Sequence, residues 1–349
     1  MRTPQGVTHL LVAALAFLNL GVDPAASALL ALPATVAYFL DRDVRPLAIG
    51  HRGFGANLGE DPTRPIENTV EAVRAAYMAG VSVVEIDVQL TRDHRVVVYH
   101  DDFLPDFTCL ERLTLAELRE RLPHVPTLRE VLQEAREFND RSGLLRGLLL
   151  VELKAPAPLC DPHDTRERTL VSAVVHEIRR MGMSRQVILT SFSPALLSIA
   201  RHRAPEIARA LSASGLQFLE LELIEAELGL PVTRIDKKLD VGLPWAEIGG
   251  IFRLPGYADV DALLATAEAV DARVVEADLS LLSSTGADLP RRAHARGLKV
   301  FGFTATTPDE WSLLESLDVD GIYTNDVPFG ERNQAVIPTA PAAALTGAR

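Results

Sequence analysis

Val81-Ser82-Val83-Val84-Glu85-Ile86-Asp87-Val88 is β-branched and apolar until its acids appear. Side chains alternate faces along a strand, so Glu85 and Asp87 point one way while Val84, Ile86 and Val88 point the other. Two carboxylates on one face repel each other unless a cation lies between them. Three other runs share this design. Leu47-Ala48-Ile49-Gly50-His51-Arg52-Gly53 ends in a histidine and an arginine, and Arg95-Val96-Val97-Val98-Tyr99-His100-Asp101 in a histidine and an acid. Leu148-Leu149-Leu150-Val151-Glu152-Leu153-Lys154 places Glu152 and Lys154 on one face. Apolar strands with polar groups at their C-terminal ends are the way a parallel α/β barrel, the TIM (β/α)8 type, builds an active site.

Taken singly, each of these groups has an ordinary explanation. A histidine after a strand is usually a satisfied surface or core residue. A Glu-x-Asp pair is more often a loop acid or helix cap than a metal site, and a Glu-x-Lys pair is most often a solvated ion pair worth little. Recurrence at four strand ends, with the apolar faces intact, is what favours a site. Such a site can hold a hard divalent cation, Mg²⁺ or Ca²⁺, through Glu85, Asp87 and Glu152. Arg52 and Lys154 can bind the remaining negative charge of a phosphodiester. His51 and His100 can serve as base and acid, because imidazole titrates near neutral pH.

The chain resembles the glycerophosphodiester phosphodiesterases. The matching pieces are His51-Arg52-Gly53, Glu67-Asn68-Thr69, Glu85-Ile86-Asp87-Val88-Gln89-Leu90-Thr91-Arg92-Asp93, His100-Asp101, Pro126-Thr127-Leu128, Glu152-Leu153-Lys154, Ser191-Phe192 and Asp320-Gly321-Ile322-Tyr323-Thr324-Asn325. The resemblance runs from residue 47 to about residue 330 and implies a barrel of the phospholipase-C-like phosphodiesterase type. It also implies a glycerophosphodiester or lysophospholipid substrate, whose own glycerol 2-hydroxyl can attack first and form a cyclic phosphate that water then opens. Glu67 is expected either behind His51 or as the first-turn acid of the following helix. There are departures. The loop from Phe54 to Ile66 is long, Asp93-His94 replaces an Asp-Gly turn, Phe301–Thr304 lacks a tryptophan, and Asn325 stands where the family usually has Asp. Two rival readings remain: a phospholipase D-like enzyme of the same barrel type that stops at the cyclic phosphate, and a catalytically inactive membrane protein. Glu67-Asn68-Thr69 and the intact set of histidines and acids argue against them.

A chain of 349 residues fits one catalytic barrel, expected over residues 46–331, with extra segments at its ends. A formal charge of −12 and the lack of a basic run argue against nucleic acid as a partner. Cys109 and Cys160 fit no zinc spacing and read as free thiols. Residues 1–41 are hydrophobic, with Asp23 as the one charged residue between Arg2 and Asp41. Each apolar run is shorter than the roughly 20 residues a spanning helix wants. The segment reads as a membrane anchor, a signal peptide cleaved after Ala28, or a helix pair capping the barrel floor, with membrane association slightly favoured over secretion. The Ala- and Pro-rich tail, 332–349, reads as disordered.

A helix is expected over 69–79, capped by Asn68 or Thr69 and ended by Gly80. Two more are expected at 115–122 and 127–138, and another at 170–181. Residues 215–248 read as a charged insertion and a candidate lid. Nine strand segments compete for eight places, with the surplus one expected late in the chain. The eight residues between Asp87 and Val96 are too few for a helix, so that connection is expected to be a helix-free crossover.

Overall fold

The computed structural model describes residues 36–40, 46–142, 147–157, 160–161, 163, 165–218, 232–235, 238–241 and 254–327. Among these, eight strands close a parallel barrel. They are β1 (Leu47–Gly50), β2 (Val83–Leu90), β4 (Leu148–Leu153), β5 (Val187–Ser191), β6 (Ala208–Ala213), β10 (Val274–Asp278), β11 (Lys299–Ala305) and β12 (Gly321–Thr324). The ring closes because β1 pairs with both β2 and β12. Residues facing the helices, such as Val84, Ile86, Leu149, Val151, Leu189, Val275 and Ile322, are fully buried in the outer core. The inward faces form an apolar floor of Leu47, Ile49, Val83, Leu148, Leu150, Ile188, Val274, Phe301 and Tyr323. The polar residues of each strand lie above that floor, at the C-terminal mouth.

The surplus strand is an early one. β3 (Val96–Val98) pairs antiparallel with β2, with Val88 opposite Val98 and Leu90 opposite Val96. The connection is therefore a hairpin, and the expected crossover does not exist. The reason is length. β1 pairs with β2 only at Val83 and Val84, so beyond that point the same edge of β2 is free for the chain to fold back on, opposite the edge that β4 covers. Thr91 closes the turn, its hydroxyl donating to Asp93 at 2.7 Å and accepting the Arg95 amide at 2.9 Å. His94 takes the left-handed conformation (φ 58°) that an Asp-Gly turn would give to glycine. The fold-back returns Tyr99, whose amide donates to Asp87 O at 3.0 Å, and so brings His100 level with the acids at the end of β2.

The helices follow local signals. α2 (Val70–Ala79) starts at Thr69, whose hydroxyl accepts the Ala72 amide, and ends at Gly80 with φ 112°. It buries Ala72, Val73, Ala76 and Tyr77. α3 (Leu115–Arg121) begins with a Thr114/Glu117 capping box. α4 (Leu128–Ser142) is tied to α2 by a two-pronged Arg74–Glu134 pair at 3.0 and 2.6 Å. A similar Arg129–Glu177 pair ties it to α5 (Glu167–Arg180). Beyond β5 come α6 (Pro194–Arg203), α7 (Val260–Ala269), α8 (Leu279–Thr285), α9 (Asp288–Ala295) and α10 (Pro308–Ser316). The stretch read as a lid includes a 3-10 turn at Gly215–Phe218 and two strands, β7 (Val232–Ile235) and β8 (Lys238–Val241). These strands make a small antiparallel sheet with β9 (Leu254–Pro255). The rest of the stretch lies outside the described residues.

Part of the N-terminal segment belongs with the barrel. α1 (Val36–Leu40) buries Val36, Phe39 and Leu40 in the floor cluster, and the Val36 amide donates to Arg185 O at 2.9 Å. Residues 36–40 thus pack against the barrel floor as one short helix, and the compact unit that contains the barrel starts at Ala34. Residues 1–35 and 328–349, with the anchor, signal-peptide and tail readings, lie outside the described residues. Among the described residues no helix is long and apolar enough to cross a membrane.

The two cysteines are not free thiols. Cys109 and Cys160 form a disulfide, packed with Phe103 and Ala157. Spacing alone could not show this, because 51 residues separate them and β4 with two helices lies between. The bond joins the loop after His100 to the loop after Lys154, and Asp102 accepts the Ala157 amide at the same junction. Thiol titration of the unfolded chain should find none before reduction and two after it. Replacing both cysteines by serine should cost about 4 kcal/mol of stability, the loop-closure entropy for a separation of this size, read by denaturant titration.

Candidate active site

The register of β2 and β4 decides the centre of the mouth. Glu85 and Asp87 alternate inward on β2, and Asp87 stands beside Glu152 of β4. One oxygen from each of Glu85, Asp87 and Glu152 lies within 4.8 Å of the others. Glu85 and Asp87 are buried, so their mutual repulsion is poorly screened. Burial, then Asp87 and Glu152, push the Glu85 carboxyl well above its ordinary range. Burial also raises Glu152, more than Lys154 lowers it. For Asp87 burial works the same way, but Lys154, His100, Arg52 and the Asn68 amide outweigh it and hold the carboxyl well below its ordinary range. The Lys154 ammonium sits 3.0 Å from Asp87 Oδ1 and 2.9 Å from Glu152 Oε1, which raises its pKa against the effect of burial. Three converging carboxylates with no sulfur or imidazole among them fit Mg²⁺ or Ca²⁺. The raised Glu85 carboxyl reflects negative charge that the surrounding cations do not fully offset.

Arg52 follows β1 in the left-handed conformation (φ 51°), and Gly53 after it has φ 97°. A Cβ on Gly53 would stand 2.6 Å from that of Ala72, so this turn can lie against α2 only as glycine. The turn aims the Arg52 amide at Glu85 Oε2 (2.9 Å) and its Nη1 at Glu67 Oε1 (2.8 Å). Arg52 Nε is buried, 3.8 Å from Asp87 Oδ2 and without a hydrogen-bond acceptor. A phosphate oxygen at the mouth would supply one. Glu67 lies against Arg52, which corrects its expected place behind His51. It also precedes the helix, whose first-turn acid is Glu71.

His51 Nδ1 lies 2.7 Å from Asn325 Oδ1. Burial, then Arg52, lower its pKa to about 3, against the raising effects of Asn325 and Asp87. His100 Nδ1 lies 2.6 Å from Asp101 Oδ1, and that hydrogen bond lowers the Asp101 pKa. The His100 backbone is held by Gln89, whose amide donates to Tyr99 O, His100 O and Asp101 O at 2.7–3.2 Å.

All the expected site residues thus gather at one mouth. The sequence reading missed their supports. Asn68, read as a helix cap, instead donates to Asp87 Oδ2 at 2.9 Å and accepts the Asp87 amide at 3.1 Å. Gln89 continues the inward alternation of Glu85 and Asp87, a signal the sequence did contain. Glu276 is the acid in the middle of β10. It lies buried in the barrel, accepting from Thr190, from Ser212 at 2.7 Å and from Tyr323 at 2.6 Å. An aromatic wall rises beside it. Tyr323 meets the rings of His51 and Phe303 edge-on at 6.2 and 5.9 Å, and Phe303 meets Phe192 at 5.9 Å. Phe303 lies in the segment where the expected tryptophan is missing.

Residues 51–219 and 232–328 match the family model described as the glycerophosphoryl diester phosphodiesterase family. The chain is 28% identical over 179 residues to a glycerophosphodiester phosphodiesterase of Caldanaerobacter subterraneus, a match covering 47% of this chain and 65% of that one. It is 59% identical over 54 residues to a glycerophosphocholine phosphodiesterase of Candida albicans, covering 15% of this chain but only 5% of the yeast protein. The chain thus spans less than two thirds of these relatives. A phosphodiesterase of Oleispira antarctica, solved with sn-glycerol-3-phosphate, shares the fold with a TM-score of 0.57 and 21% identity, over 82% of this chain and 96% of that one.

Because the Glu85 carboxyl is raised, a cation bound at Glu85, Asp87 and Glu152 would compete with its proton as pH falls. A carboxyl whose folded pKa is raised holds its proton as pH rises past the ordinary value, so metal affinity should increase from acid to neutral pH. Calorimetry of Mg²⁺ or Ca²⁺ binding in buffers of different ionisation enthalpy should show proton release. Asp87→Asn should abolish both binding and the thermal stabilisation by metal, about 2.7 kcal/mol at a hundred times Kd.

Proposed function

The chain belongs to the glycerophosphoryl diester phosphodiesterase family, and we propose that it hydrolyses glycerophosphodiesters to glycerol 3-phosphate and an alcohol. The observation that carries this reading is the convergence of Glu85, Asp87 and Glu152 beside His51, Arg52 and Lys154 at one mouth. A divalent cation bound to the three carboxylates would neutralise the phosphate charge that grows during displacement. Arg52 presents its unused Nε–H to a phosphate oxygen, with Glu67 fixing the other side of the guanidinium. Lys154 sets the charge of Asp87 and Glu152 and adds a second cation to the phosphate site. His51, held neutral, takes the proton of the attacking glycerol 2-hydroxyl or, in the second step, of water. His100, hydrogen-bonded to Asp101, gives a proton to the leaving alcohol. Phe192 and Phe303 offer an apolar wall to the substrate, which suits a small or partly apolar alcohol.

The test is metal-dependent release of glycerol 3-phosphate from a panel of glycerophosphodiesters and lysophospholipids, with products identified by phosphorus NMR. A cyclic phosphate as the sole final product would replace hydrolysis with the phospholipase D-like reaction. His51→Ala and His100→Ala should each lose about 10²–10⁴-fold in rate while retaining metal binding. Near wild-type turnover by His100→Ala would remove it from the acid role.

We also propose that the segment before Ala34 holds the protein to a membrane. The support is its composition, Leu10–Leu18 being apolar throughout and Asp23 its only acid. The full chain should fractionate with membranes. A chain beginning at Ala34, which keeps the floor helix, should become soluble with unchanged turnover on water-soluble substrates. Recovery of the full chain with Met1 in the soluble fraction would exclude both anchor and signal peptide.

A further inference from the structure

Asn325 follows β12, 274 residues from His51, yet its Oδ1 lies 2.7 Å from His51 Nδ1. The same Oδ1 accepts the Ala56 amide at 3.0 Å. A backbone amide only donates, so the atom facing it is the carbonyl oxygen of Asn325 and its orientation is settled. An oxygen only accepts, so Nδ1 of His51 carries the hydrogen, and the neutral ring keeps its lone pair on Nε2. We propose that Asn325 is a positioning residue, fixing His51 in the tautomer whose Nε2 takes the proton, and that the long Phe54–Ile66 loop serves to hold Asn325 in place. The inference rests on the base role of His51 proposed above.

Three contacts grip Asn325. Its amide donates to Ala305 O at 3.1 Å, its carbonyl accepts Arg64 Nη2 at 2.7 Å, and its side chain accepts from Ala56. Arg64 reaches it by folding back across its own loop, also donating to Phe54 O at 2.6 Å and lying 5.8 Å from the centre of the Phe54 ring. Asn57 shapes that fold-back, its amide donating to Asp61 O, Arg64 O and Pro65 O at 3.1–3.2 Å. Gly55 has φ 95°, and a Cβ there would stand 2.2 Å from Asn325 O, so the loop passes this point only as glycine. The loop and the end of the last barrel strand are thus one assembly around the base.

The choice of an amide has a chemical consequence. The groups facing His51 are Arg52, Asp87, His100 and the Tyr323 ring. Asp87 is the one carboxylate among them, and Arg52 opposes it. Asn325 orients the imidazole without adding a second negative charge that would favour the imidazolium.

The experiment uses the full, metal-loaded chain with a glycerophosphodiester substrate and records kcat and KM against pH. Asn325→Leu should stay folded and bind metal normally while kcat falls about 10–100-fold, the usual cost of losing a group that orients a histidine. Asn325→Asp keeps the acceptor and adds charge, so it should retain turnover at high pH with the acid limb moved up by about 1–3 units. Arg64→Met should lower kcat more than it raises KM. If Asn325→Asp leaves the acid limb in place while His51→Ala is inactive, the positioning role is overturned and the base assignment stands. If His51→Ala is fully active, the base assignment itself fails. An unchanged Arg64→Met enzyme overturns the part played by the loop. Should Asn325→Leu fail to fold, the acid limb of Asn325→Asp decides alone.

Discussion

Like-charge repulsion at one point organises this molecule. Strand register places three carboxylates within 4.8 Å of one another at the mouth of a barrel whose floor is apolar. Nothing in the barrel can relax that arrangement, because the strands that carry it are buried on both faces. The surroundings are therefore built to supply positive charge and donors. Lys154 bridges two of the acids, Arg52 serves the third through its backbone amide, and Asn68 clamps Asp87 from α2's entry turn. The shortfall that remains, seen in the raised Glu85 pKa, is the electrostatic basis for a divalent cation.

The two histidines stand in different electrostatic surroundings. His51 lies close to the Arg52 guanidinium, is oriented by a neutral amide, and is driven toward its uncharged form. His100 is hydrogen-bonded to Asp101 on a loop that is partly open to solvent.

Much of the barrel was legible because a period of two is a strong signal when one face is apolar and the other carries acids. Glu85, Asp87, Glu152 and Lys154 could be placed on shared faces from that alone. Hairpin and crossover were not separable by spacing, since eight residues suffice for either. The deciding fact was the length of β2 beyond Val84, which depends on where β1 stops. Asn68, Asn325 and the Cys109–Cys160 bond escaped for a related reason. Each acts on a residue 19 to 274 positions away, and a single sequence carries no mark of such pairings. Glu67 was placed behind the wrong neighbour because the turn at Arg52 and Gly53, with both residues at positive φ, swings the arginine rather than the histidine toward it.

Ring closure gives the barrel a temporal order. β1 is made first, but one of its two neighbours, β12, is made last, and only that pairing brings the Asn325 side chain to His51. A chain emerging from the ribosome has all three converging acids by residue 152, yet its first strand keeps a bare edge until residues 321–324 appear. Such an edge is open to pairing with other chains, and its long wait makes folding slow and reliant on late contacts. The same order would keep the nascent chain chemically silent. On the proposed reading, a fragment that stops short of β12 has the three acids but lacks the amide that orients His51, so hydrolysis would await the completed fold.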